Sequence, residues 1–217
     1  MCLKLIVPAL LSLASLAMPA FADQYQLTLD ACGRRGCGTA PFGTIDVTQK
    51  GLNTVNIAVS LNPGNKFIGT GFQQNFGFDI IGNPTITLSN LPGGWSLVSH
   101  AAGSLNFGAF GSLDYALTCN NQTCGHGNPH QFSGPLSFDV TATGLTPGSF
   151  KELSRPGSEA AYFAADIWGS TGRTGPVGAT FVETQAASAT PEPSSLLLLG
   201  TGVGLLGFSW FRRRRKA

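Results

Sequence analysis

Apolar residues alternate with polar or small residues along several short stretches of this chain, and this period of two is the strongest constraint on its fold. In one stretch Val55, Ile57 and Val59 alternate with Asn56 and Ala58. Similar alternation recurs at 76–80, 113–119, 136–142 and 177–181. Because successive side chains of a strand point to opposite faces, the pattern predicts strands with one dry and one wet face.

Turn-forming residues separate these stretches, at 62–64, 83–84, 92–94 and 147–148. Short alternating strands between turns predict an all-β domain, an antiparallel β-sandwich or jelly roll of about eight to eleven strands. The chain has 29 glycines, a composition also found in disordered proteins, but 15 phenylalanines favour a packed core. Residues 23–183 are long enough for one such domain. Ser158–Ile167 is open to two interpretations, a strand or, less favoured, a short helix.

The N-terminus has the pattern of a secretory signal peptide, predicted over residues 1–22. Lys4 precedes an apolar run from Leu5 to Leu16, and Ala20 and Ala22 give the small-x-small pattern that signal peptidase reads. We expect cleavage before Asp23, after export through the Sec translocon. The domain is therefore expected outside the cytoplasm.

The C-terminal region predicts a membrane anchor. Residues 194–211 carry no charge, and as a helix they would reach roughly 27 Å, enough to cross a bilayer core. The cations that follow are expected to stop the helix and to keep residues 212–217 in the cytoplasm; they are Arg212, Arg213, Arg214, Arg215 and Lys216. Gly200 and Gly204 are spaced for helix pairing, although glycines also weaken the helix as an anchor.

A stalk, residues 184–193, is expected to join the domain to the anchor and ends in Pro191, Glu192 and Pro193. Together with the Leu/Gly-rich helix and the arginine cluster, this tripeptide resembles the PEP-CTERM sorting signal of exopolysaccharide-producing Gram-negative bacteria. The resemblance covers residues 190–217. It implies that a membrane protease, exosortase, cuts the chain near the tripeptide, so that the membrane anchor is transient.

Two C-x-x-x-x-C pairs remain after removal of the signal peptide, Cys32 with Cys37 and Cys119 with Cys124. An oxidising compartment favours disulfides, and two local bridges are preferred among the three formal connectivities. The alternative is a zinc site that uses the second pair with His126 and His130, although the spacing is too compact for most structural zinc sites.

No catalytic motif, metal site or cofactor-binding signature is recognisable. The exported part, residues 23–190, has seven basic and ten acidic residues, a net charge of −3, so nucleic-acid binding has little support. The acids are scattered singly and are expected to be solvated strand-face or turn residues rather than a catalytic pair. Trp95 and Trp168 are candidates for a sugar-stacking platform, but a core or half-buried position is expected for them.

Two functional hypotheses follow. The favoured one is an exported surface or matrix protein without catalysis, anchored in the inner membrane with its domain in the periplasm, then delivered to the cell surface, exopolysaccharide or biofilm. A lectin-like variant would bind the polysaccharide directly. The alternative is a secreted polysaccharide-acting hydrolase or lyase that uses the same route.

Overall fold

The computed structural model describes residues 22–70, 74–98, 103–119, 131–155 and 158–183. These ranges contain antiparallel strands and two 3-10 turns, Gly108–Phe110 and Pro147–Phe150, and they contain no α-helix. The strands are β1 (Ala22–Asp30), β2 (Gly43–Gly51), β3 (Thr54–Leu61), β4 (Lys66–Phe67), β5 (Phe76–Phe78), β6 (Thr87–Ser89), β7 (Trp95–Leu97), β8 (Leu105–Asn106), β9 (Ser112–Leu113), β10 (Tyr115–Cys119), β11 (Leu136–Thr141), β12 (Phe163–Trp168) and β13 (Thr174–Val182). The all-β prediction is confirmed.

The number of strands is close to the expected one. Ten of the described strands have three or more residues, within the expected eight to eleven, and β4, β8 and β9 are two-residue strands. β12 begins at Phe163, so the stretch 158–167 leads into a strand and the alternative of a short helix is wrong.

The chain divides into two units, Met1–Val182 and Glu183–Ala217, and all of the described strands lie in the first.

Eleven strands form one large curled sheet in the order β6-β11-β3-β2-β1-β13-β12-β5-β10-β7, with β4 beside β12. The first and last strands, β1 and β13, are therefore neighbours inside the sheet. The curl brings the Phe138 ring on β11 to 6.1 Å from the Phe76 ring on β5, although five strands lie between β11 and β5 in the sheet order. Two halves of one sheet thus face a common core, as the two sheets of a sandwich do.

The alternation predicted from the sequence places the core residues of β3 and β11. Val55, Ile57 and Val59 of β3 are fully buried, while Asn56 and Ala58 between them are partly exposed. Phenylalanines fill much of the space between the halves of the sheet, and burying each side chain contributes about 1.5–3 kcal/mol. This part of the sheet has the predicted dry and wet faces.

The sheet around β5, β10, β12 and β13 differs from the prediction, because it is buried on both faces. A row of small residues crosses the outer face of these four strands in register: Ala116, Gly77, Ala164 and Gly178. The hairpin β8–β9, with its 3-10 turn, packs Phe107, Phe110 and Leu113 on this row. Small residues make room for the aromatic rings, so a second, smaller core forms outside the sheet.

Candidate functional site

A loop closed by a disulfide follows β1. The sulfurs of Cys32 and Cys37 are bonded to each other, as predicted. The Asp30 carboxylate accepts hydrogen bonds from the backbone N–H groups of both cysteines, each at 2.9 Å. Asp30 and the two sulfurs lie within 4.8 Å of one another, but sulfurs bonded to each other are not the thiolates that bind metal ions. This cluster stabilises the loop.

Cys119, on β10, is also disulfide-bonded. A cysteine in a disulfide cannot act as a zinc thiolate, so the alternative zinc site loses its first ligand. Its predicted partner Cys124 lies outside the described residues, as do His126 and His130.

The expectation that the acidic residues are solvated is wrong for four aspartates. Asp79, Asp114, Asp139 and Asp166 are buried. Asp139 is neutralised by the Lys50 ammonium at 2.5 Å and accepts hydrogen bonds from Asn56 at 2.8 Å and Asn90 at 2.6 Å. Burial alone would raise the pKa of Asp139, but these three donors hold it below its ordinary value. Asp139 therefore stabilises the sheet as a paired carboxylate.

Asp79 and Asp114 form a second group of buried carboxyls. Asp79 Oδ1 accepts the backbone N–H of Asp114 at 2.5 Å, and the Asp114 carboxylate pairs with Arg155 at 3.2 Å. Burial raises the pKa of Asp79 to about 7, and the charges of Asp114 and Glu152 act in the same direction. Adjacent carboxyls in different environments are the chemistry that acid–base catalysis uses.

Asp166, on β12, faces a cavity of about 140 Å³ at the junction of the sheet and the β8–β9 hairpin. Its Oδ2 accepts hydrogen bonds from the Thr70 N–H at 2.5 Å and the Thr70 hydroxyl at 2.6 Å. Its Oδ1 is buried without a hydrogen-bond partner, and so is Oε1 of Gln74, which also lines the cavity. Burial raises the pKa of Asp166 to about 7, against the opposing effect of the Thr70 hydrogen bonds. Asp166 thus has an unpartnered carboxyl oxygen and also lines a cavity.

The tryptophans do not form a joint platform. Trp95 is buried and packs edge-to-face with Phe67 and Phe132, at ring-centroid distances of 5.6 and 5.5 Å. Trp168 is half-buried at the end of β12. These are the core and half-buried positions expected from the sequence.

Residues 189–215 match the family model of the PEP-CTERM protein-sorting motif. The chain carries a PEP-CTERM sorting motif. The motif implies processing by exosortase, with export and transit in a membrane-anchored form before cleavage. No curated protein and no solved structure matches the chain.

Most residues assigned to sorting lie outside the described part of the chain. The PEP-CTERM tripeptide 191–193, the predicted span 194–211, the cations 212–216 and Ala20 all fall there. Ala22 is described and begins β1, opposite Thr48 of β2. Within the described ranges, no helix has the length and apolar character needed to cross a membrane.

The PEP-CTERM motif was predicted from the sequence, whereas the Asp166 cavity was not. The motif is one contiguous segment and is readable from residue order. The cavity combines Thr70 and Gln74, which are four positions apart, with the distant Asn106 and Asp166, and only the folded sheet brings them together. One feature of the sequence could have indicated it. Asp166 lies between apolar residues of β12, as expected for an aspartate in a strand that is buried on both faces.

Proposed function

We propose that the protein is an exported surface or extracellular-matrix protein without catalysis of its own. Residues 194–211 hold it in the inner membrane with its β-domain in the periplasm. Exosortase then cuts near Pro191, Glu192 and Pro193, and the domain reaches the cell surface or the exopolysaccharide matrix, where it is part of the biofilm. The observation that carries this proposal is the match of residues 189–215 to the PEP-CTERM motif.

The absence of catalysis is supported by what three of the aspartates do. Asp30 holds a disulfide loop, Asp139 is paired with Lys50, and Asp114 is paired with Arg155. Carboxylates occupied by such partners contribute to stability and are not free for proton transfer to a substrate.

The second candidate, a polysaccharide hydrolase or lyase, is favoured by one observation. Burial raises the pKa of Asp79 to about 7, and Asp79 accepts a hydrogen bond from the backbone N–H of Asp114, so two buried aspartates are in contact. If they are catalytic, the purified protein shortens the host's own polysaccharide, and both Asp79→Asn and Asp114→Asn abolish this activity. Binding without shortening supports the non-catalytic proposal.

Sorting is tested by replacing Pro191, Glu192 and Pro193 with alanine in the host. We expect the full-length protein to accumulate in the inner-membrane fraction, because exosortase no longer recognises its site. A matched control replaces Thr184 and Gln185 in the same stalk and is expected to be released normally. Unchanged release of the triple variant refutes the proposal.

The orientation of the anchor is tested by replacing Arg212 to Lys216 with glutamate. Cations resist transfer across the membrane and are retained in the cytoplasm, so their removal should weaken retention or invert the anchor. Protease protection of the domain in spheroplasts is the measurement. An unaltered topology contradicts the role given to this cluster.

A further inference from the structure

The Asp166 cavity contains two buried acceptors that lack donors. Asp166 is 4% exposed, and Thr70 satisfies only its Oδ2. Its Oδ1 and the Gln74 Oε1 are buried without a hydrogen-bond partner, and both residues line the cavity. A buried acceptor without a donor destabilises the fold, and more strongly if it is charged. A ligand that donates hydrogen bonds at both atoms would remove this cost.

The rest of the cavity wall is apolar or already bonded. Phe107 and Pro176 form an apolar side. Asn106 Oδ1 accepts the Gly108 N–H at 2.7 Å. No lysine, arginine or histidine is among the described lining residues, so none of these residues neutralises Asp166. The site combines a carboxylate, a second acceptor and an aromatic ring.

Three classes of ligand fit such a site to different degrees: a metal ion, a neutral hydroxyl group and a primary ammonium group. A calcium ion takes six to eight oxygen ligands, whereas the described lining residues leave two unpartnered oxygens. A neutral hydroxyl group satisfies one acceptor but leaves the carboxylate charge uncompensated. A primary ammonium group has three donors and a positive charge, and its carbon chain can lie against Phe107, where a cation near an aromatic face is also stabilised.

We propose that the Asp166 cavity binds the primary ammonium group of a small organic molecule, with Asp166 Oδ1 and Gln74 Oε1 as acceptors and Phe107 and Pro176 against its apolar body. This site is separate from the sorting motif and does not depend on exosortase processing. It gives the exported domain a ligand-binding function in addition to its delivery.

The protonation of Asp166 is linked to this binding. Burial raises its pKa to about 7, and no other titratable side chain is among the described residues that line the cavity. An ammonium ion favours the ionised carboxylate, so binding below pH 7 releases a proton. Affinity is therefore expected to fall as pH falls below 7, by up to about tenfold per pH unit.

The probe is propylammonium chloride, added to the purified full-length protein and followed by ligand-observed saturation-transfer NMR. Sodium chloride controls for ionic strength, and 1-propanol has the same carbon chain without the charge. We expect saturation transfer to propylammonium and a much weaker effect with 1-propanol. Asp166→Asn should lower the affinity at least about tenfold, because a hydrogen bond to a charged group is lost.

Two further variants separate binding from folding. Asp46→Asn changes a half-buried aspartate of β2 that is bonded to Gln24 and should leave the affinity unchanged. Phe107→Leu keeps an apolar wall but removes the ring, and should lower the affinity several-fold; it tests the site even if Asp166→Asn does not fold. The proposal is overturned by no transfer to propylammonium, by equal transfer to 1-propanol, or by unchanged affinity in both cavity variants. Calcium binding that depends on Asp166, without propylammonium binding, also overturns it.

Discussion

Gln24, near the start of the first strand, lies directly opposite Val182, the last residue of the last strand. β1 and β13 pair inside the sheet, with β2 on one side and β12 on the other. The sheet is therefore incomplete until residues up to Val182 have been exported. The predicted signal-peptide cleavage point, between Ala22 and Asp23, lies at the same end of this strand pair as Val182.

The first prediction concerns truncation of the domain. A chain of residues 23–183 retains all the described strands and lacks only Ala22, the first residue of β1. We therefore expect it to unfold cooperatively when thermal denaturation is monitored by circular dichroism. A chain of residues 23–173 lacks β13, which pairs with both β1 and β12 and buries Val177 and Ala179. We expect it to lose cooperative unfolding, and a cooperative transition like that of the longer chain would contradict the topology.

The second prediction concerns the small-residue row. A Cβ added at Gly77 would overlap the Phe107 ring and Leu113, so Gly77→Ala should cost about 1–3 kcal/mol of unfolding free energy. Gly93→Ala is the matched control, because a Cβ there meets no atom within 4 Å, and its effect should be within about 0.5 kcal/mol. Urea denaturation measures both, and equal stabilities would show that Phe107 does not pack on Gly77.

The extent to which sequence predicts this fold depends on the strand. β2, β3 and β11 have one buried face, so their alternation is visible in the sequence. β5, β10 and β12 are covered on both faces, and the outer positions beneath the hairpin are Gly77, Ala116 and Ala164, residues too small to indicate burial. The hairpin that covers them, Leu105–Leu113, comes from a different part of the chain, and residue order alone does not say where it packs.

The PEP-CTERM motif and the Asp166 cavity also differ in how far the sequence predicts them. The PEP-CTERM motif acts through contiguous residues and was predicted from them. Asp166 and Gln74 are 92 positions apart in the sequence, and both line one cavity because β12 lies beneath the β8–β9 hairpin. Tertiary packing creates that site.

The third prediction concerns pH and stability. The pKa of Asp79 is raised from 3.8 to about 7 by burial, so the folded state holds a proton that the unfolded chain has lost. This contribution is fully present below pH 4 and is lost as pH rises to about 7, at about 1.4 kcal/mol for each pKa unit. Asp79→Asn keeps an acceptor for the Asp114 N–H and should flatten the fall in unfolding free energy between pH 4 and 7.

Asp139→Asn is expected to change the pH dependence of the unfolding free energy in the opposite direction. Because Lys50, Asn56 and Asn90 lower the pKa of Asp139, this carboxylate stabilises the fold above its ordinary pKa and loses its contribution as pH falls below it. The variant should therefore be destabilised at neutral pH and approach the wild type in acid. Urea denaturation of residues 23–183 across this pH range measures both variants, and an unchanged slope for Asp79→Asn would exclude its burial as the cause.

The central claim, removal of the C-terminal segment by exosortase, is tested most directly by the intact mass of the protein recovered from the cell surface or the extracellular matrix. We predict a mass that places the C-terminus close to Pro191, Glu192 and Pro193. When the exosortase gene is deleted, we predict the mass of a chain that still extends to residue 217. A surface protein that still contains residues 194–217 would contradict the account.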